Sequence, residues 1–207
     1  MRRLFIPALL ALSLLAAPPS HAQLERYRAT MSGPNAAVPN NSVAYGMVDL
    51  LIDRGAWTMK VTVDTRDFSG GDARLHCCSP QALGGIGPVA SMQPSFPGFL
   101  DSNNYWTGSY ERTFDLNDAA TYNAAFIGAH GGSVTAARDV LLAGLAQRQA
   151  YVNVYSAAYP NGEMRGFLVP TPVPEPGAWA MLLGGVGAIA LVRRRKDTIA
   201  LVRRRRR

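Results

Sequence analysis

Cysteine is nearly absent. Two occur in 207 residues, and they are neighbours, Cys77 and Cys78. This excludes a disulfide framework, because adjacent positions cannot tie distant segments together. Neighbouring Cα atoms sit ~3.8 Å apart across a trans peptide, below the ~4.4–6.8 Å of ordinary disulfides. A strained ring between the neighbours and pairing with another chain both remain open. Histidine is also scarce. Of three in the chain, His21 falls within the first 22 residues, leaving His76 and His130. Zinc sites need ~three or four ligands, so a metal centre is not expected. A His76–Cys78 pair is conceivable, since alternate strand residues share a face, but further ligands are lacking. His130, in "GAHGG", reads as a solvated loop residue. The nucleophile elbow G-x-S-x-G, the phosphate loop and H-E-x-x-H are all missing. No catalytic residue and no cofactor is therefore expected, and the chain reads as a non-enzyme.

Positive charge is missing where a nucleic-acid binder would need it. The net charge is +7, from 21 Lys and Arg against 14 Asp and Glu. Two of the cations are Arg2 and Arg3, and nine lie in residues 193–207. That leaves ten in residues 23–172, against twelve acids, the other two being Glu175 and Asp197. The middle is slightly acidic. Nucleic-acid binders spread Lys and Arg over a face to displace counterions, so no nucleic-acid partner is expected.

The chain opens "MRRLFIPALLALSLLAAPPSHAQ". Two arginines, an apolar stretch from Leu4 to Ala17 and small residues at Ser20 and Ala22 predict a signal peptide over residues 1–22, cut by signal peptidase after Ala22. The compartment then permits disulfides. Residues 23–170 form one domain, large enough to bury roughly two thirds of its unfolded surface.

Within the domain the strand signal dominates. "LERYRATMSG" alternates and runs into a Gly-Pro-Asn turn. "SVAYGMVDLLID" and "AWTMKVTVDT" flank Asp53-Arg54-Gly55, and Trp57, Met59, Val61 and Val63 alternate with polar residues, which predicts a hairpin around a glycine turn. "ARLHCC" is a short strand, Ser79 to Asn104 a Gly/Pro/Ser-rich loop, and "YWTGSYERTFDL" another strand. Two short helices follow. The first has Asp115 and Asn117 as candidate N-caps. The second opens on Ser133 with Arg138 and Asp139 outward. Tyr151 to Tyr155 and Glu163 to Val169 are closing strands around Pro160-Asn161-Gly162, a turn tolerant of φ > 0. The fold class is mainly β, a sandwich or barrel with two short helices inserted. Glu163 and Arg165 share a strand face and are expected to form a rim salt bridge. Asn153, in line with Tyr151 and Tyr155, reads as a satisfied structural asparagine.

"AYVNVYSAAYPNGEMRGFL" resembles the closing motif of the CHRD domain. The matching positions are Tyr151, Asn153, Pro160, Gly162, Glu163, Arg165 and Gly166. "GDARLHCCSP", with His76, Cys77 and Cys78, resembles an earlier Ala-His-Ile-His segment of that family. The resemblance covers about Leu24 to Pro170. It implies an immunoglobulin-like or superoxide-dismutase-like β-sandwich or barrel and extracellular protein contacts, and it leaves the ligand, an extracellular protein or polysaccharide, open. Two histidines of the family pattern are Arg74 and Tyr155 in this chain. Only His76 remains of three imidazoles that could share a metal, so metal binding is not expected.

Residues 171–177 form a Pro-rich linker. Pro174, Glu175 and Pro176, the apolar residues 178–192 and the cations Arg193 to Lys196 resemble the PEP-CTERM sorting signal of Gram-negative bacteria that make exopolysaccharide. That resemblance implies exosortase as a processing partner and the membrane as a transient one. The fifteen residues from Ala178 to Val192 make a predicted transmembrane helix of ~22 Å, short against a ~30 Å bilayer core. The basic tail, residues 193–207, stays cytoplasmic by the positive-inside rule. "IALVRRR" repeats ten residues later, from Ile199, with no assigned role. The chain is expected in the inner membrane with its domain outside, then at the cell surface or secreted. The rival readings are a metal-dependent enzyme of superoxide-dismutase-like build and a permanently anchored single-pass surface protein.

Overall fold

The alternation of side chains builds one sheet with a dry inner face. The computed structural model describes residues 24–93, 95–99 and 107–173. In β1 (Leu24–Ser32), Tyr27, Ala29 and Met31 are buried, while Arg28 and Thr30 face solvent. β2 (Tyr45–Asp53) buries Val48, Leu50 and Ile52, and β3 (Thr58–Arg66) buries Met59, Val61 and Val63. β4 (Asp72–His76) adds Ala73 and Leu75, and β5 (Thr107–Asp115) adds Tyr110 and Phe114. Each buried Val, Leu, Ile, Met or Phe among them stabilises the fold by roughly 1.5–3 kcal/mol relative to exposure.

The strand order is β4-β6-β7-β1-β2-β3-β5, with β6 spanning Tyr151–Tyr155 and β7 Met164–Phe167, and every pairing is antiparallel. This path has two ends, β4 and β5. The described residues thus form an open curled sheet where a two-sheet sandwich or closed barrel is expected from sequence. β8 (Val169–Thr171) pairs with β1 in the same register as β7 does, so the segment around Leu168 runs along one edge of β1. The β2–β3 hairpin pairs Asp53 with Thr58. Its turn is held by Asp53 Oδ1, which accepts from the amides of Gly55 (2.7 Å) and Ala56 (3.0 Å). The left-handed residue is Trp57 (φ 52°), not Gly55.

The two short helices predicted from sequence are present, and their buried side chains pack on the inner face. α1 is Ala124–Ala129 and α2 is Val134–Ala146. Ser133 caps α2 through the Ala136 amide. The other expected caps shift by a few residues. Asp118 caps a 3-10 turn at Ala119–Thr121 and Asn123 caps α1, while Asp115 Oδ1 binds the Asn117 amide. Phe126, Ala137, Leu141, Leu142 and Leu145 join the sheet residues in the core. Arg138 does not point outward. Its guanidinium lies 3.7 Å from the Trp57 ring centroid. Among the described residues no helix is long and apolar enough to cross a membrane. The predicted signal peptide, the PEP segment, the transmembrane helix and the basic tail lie outside the described residues.

Candidate functional site

The outer face of β4, β6 and β7 carries the polar and aromatic residues that the core rejects. Register sets the rows. His76 is opposite Tyr151, which is opposite Phe167. Arg74, Asn153 and Arg165 form the next row, and Asp72 and Tyr155 the third. Residues 74, 76 and 155 therefore do share one face, as strand periodicity requires.

His76 anchors the first row. Its imidazole stacks on Tyr151, centroids 4.7 Å apart and 12° from parallel. Nδ1 lies 2.9 Å from the Gly87 carbonyl, which can only accept, so Nδ1 carries the proton. Nε2 is then the acceptor for the Tyr155 hydroxyl at 2.9 Å. The Gly87 amide donates in turn to the Tyr151 hydroxyl at 3.2 Å. Burial pushes the His76 pKa down, only partly opposed by the Gly87 carbonyl, with Arg74 and Arg165 adding repulsion. The imidazole is a neutral structural clasp on the Gly87 loop. Arg74 lies over the Tyr155 ring at 4.5 Å and pairs with Asp72 at 3.4 Å.

Arg165 ties two loops to the sheet. Nε donates to the Asn35 carbonyl at 2.6 Å and Nη1 to the Gly85 carbonyl at 3.1 Å. Its guanidinium sits 5.3 Å from the Tyr151 centroid and 5.1 Å from that of Phe167. The expected Glu163–Arg165 salt bridge is absent among the described residues. Glu163 precedes β7 and is buried, where it accepts the Ser42 hydroxyl at 2.6 Å. The carbonyls of Asn35 and Gly85, brought by two separate loops, take the guanidinium, and Ser42 takes the carboxylate.

The motif residues around the Gly162 turn form a latch. Asn153 is buried, and a Cβ on Gly162 (φ 117°) would fall 2.7 Å from its Nδ2. Asn40 Nδ2 donates to the carbonyls of Gly162 and Glu163, both at 3.2 Å. No protein donor among the described residues reaches Asn153 Oδ1 or Glu163 Oε2, so Asn153 is not the fully satisfied residue expected. Pro160 sits in the preceding turn, closed by the Gly162 amide on the Tyr159 carbonyl. Gly166 has its own reason. A Cβ there would lie 2.6 Å from the Thr30 carbonyl oxygen and 2.9 Å from the Ala29 Cβ, so only glycine lets β7 lie against β1.

Residues 27–168 match the family model of the CHRD domain, which covers most of the chain. The chain belongs to the CHRD domain family. Residues 172–196, directly after the domain, match the PEP-CTERM protein-sorting motif. Comparison with curated proteins and with solved structures finds no match.

The vicinal cysteines of this CHRD domain are joined to each other in a disulfide. The ring turns the chain, with Cys78 at φ 67°. Cys78 therefore leaves the His76 face. Both sulfurs lie 3.9 Å from the Val140 carbonyl oxygen, and a Cβ on Gly144 would fall 3.3 Å from the Cys78 sulfur and closer to that of Cys77. The disulfide packs against α2, and a His76–Cys78 ligand pair is ruled out by direction. Among the described residues no three His, Cys, Asp or Glu side chains gather as metal ligands. His130 ends α1 with its ring edge-on to Phe126, centroids 4.6 Å apart. Sequence reasoning missed Asn35, Asn40, Ser42, Gly85 and Gly87. They act through loops of no period, and "PNNS" from Pro39 to Ser42 was the visible turn chemistry that could have flagged two of them.

Proposed function

We propose that this is a non-enzymatic binding domain that is exported, held at the membrane through its PEP-CTERM segment, cut by exosortase and delivered to the cell surface or matrix. The observation that carries the sorting half is the placement of the PEP-CTERM match at residues 172–196, immediately after the domain match ends at 168. The non-enzymatic half is supported by the chemistry of the outer face. Both ring nitrogens of His76 hold hydrogen bonds. Positions 74 and 155, where the family pattern has imidazoles, carry a guanidinium that lies over the Tyr155 ring and a phenol whose hydroxyl binds His76. That set holds loops in place and does not fit a metal. It supports a scaffold that presents its loops to an extracellular protein or polysaccharide.

Fractionation of producing cells with and without exosortase tests the reading. The domain should leave the membrane fraction in competent cells and stay in it when exosortase is deleted. Retention in both strains would favour a permanently anchored surface protein.

A further inference from the structure

A groove of about 430 Å³ opens beside the motif face. One wall is the segment carrying Pro34, Asn35 and Pro39, the other carries Leu83, and Arg165 and Phe167 form part of its lining. Three observations mark it as built for a partner. First, Arg165 is the lone charged residue of the lining, and its charge meets carbonyls and aromatic rings but no carboxylate among the described residues. Second, the lips are aliphatic and wet. Leu83 is 50 % exposed, Val38, next to the first wall, 65 %, and Ile86, next to the Gly85 carbonyl that Arg165 holds, 68 %. Third, Leu83 is held at φ 59°, with its amide on the Arg148 carbonyl at 2.9 Å. A leucine in the left-handed region is strained, and such strain gathers where a side chain must be presented.

We propose that this groove docks an extended segment of a partner protein in which an acidic residue is flanked by aliphatic ones. The carboxylate answers the Arg165 guanidinium, and the aliphatic side chains cover Val38, Leu83 and Ile86. A glycan fits less well, because sugars stack on open aromatic faces and Phe167 already lies beside the guanidinium. The inference rests on reading the domain as a binding module and gives that module a partner class.

The test uses the full chain in detergent micelles with ¹³C-labelled methyl groups, followed by NMR. The probe is the peptide acetyl-Val-Asp-Leu-amide. It should shift the Val38, Leu83 and Ile86 methyls saturably, and the Val-Lys-Leu peptide should bind at least roughly tenfold more weakly. Arg165→Gln should abolish the shifts. Because Arg165 also ties two loops, Leu83→Gly is the second variant. Glycine accepts the left-handed backbone, so the fold persists while binding weakens. Equal response to the Lys peptide, or none to the Asp peptide up to about 10 mM, overturns the proposal. So does a response to oligogalacturonate alone, which assigns the groove to a glycan. Shifts of the same methyls with protein concentration alone would give it to a second copy and overturn it as well. None of these results bears on exosortase processing, which is read at the chain's C-terminus.

Discussion

The imidazole of His76 lies flat on the ring of Tyr151, and both side chains close on the backbone of Gly87. One strand pair thereby fixes a loop that has no regular structure of its own. The motif residues act as the loop's fastening.

The His76 clasp makes stability pH-dependent. Its folded pKa is lowered from the usual 6.5, chiefly by burial. The unfolded chain then binds more protons than the folded one between the two values. Stability is full above pH ~6.5 and falls as the pH drops toward the folded pKa, by ~1.4 kcal/mol for each unit of depression. Urea titrations from pH 7.5 to 5 should show this loss, and His76→Gln should remove it. An unchanged slope in the variant would contradict the neutral clasp.

The Gly162 turn should be intolerant of a side chain. Gly162→Ala forces alanine to φ 117° and sets its Cβ against the Asn153 amide. A loss of about 2–3 kcal/mol is expected in urea unfolding, and an effect below about 0.5 kcal/mol would contradict the latch.

Two helical glycines should respond with opposite signs. At Gly144 a methyl meets the Cys77–Cys78 disulfide, so Gly144→Ala should destabilise by about 1–3 kcal/mol. At Gly128 nothing lies within 4 Å, so Gly128→Ala should stabilise by about 0.5–1 kcal/mol. Thermal melts of both variants check the pair. Iodoacetamide should label neither cysteine unless a reductant is added.

Arg138 should matter more than an exposed arginine. It lies on Trp57 with its side chain 11 % exposed, whereas Arg28 pairs with Asp49 at 46 % exposure. Arg138→Ala should cost about 1–2 kcal/mol and Arg28→Ala less than about 1 kcal/mol. Equal losses would contradict the stacked geometry.

Strands and inner face were legible because period two survives in Met59, Val61 and Val63, where one side is dry. The shared face of residues 74, 76 and 155 was legible for the same reason. Sheet closure was not, since alternation reports which side is buried and says nothing of whether β4 meets β5. The fate of Glu163 and Arg165 was hidden too. Strand spacing put them on one face, but the ion pair is displaced by Asn35, Ser42 and Gly85, which arrive from loops far away in sequence. Cys78 followed strand alternation on paper and left it in the fold, because the disulfide ring turns the backbone.

The account rests most on the sorting segment, and intact-mass spectrometry of the mature protein tests it directly. In exosortase-competent cells the account predicts an N-terminus at Gln23 and a C-terminus near Pro174–Pro176, without the residues from Ala178 onward. A mature chain that runs through Arg207 in those cells would contradict it.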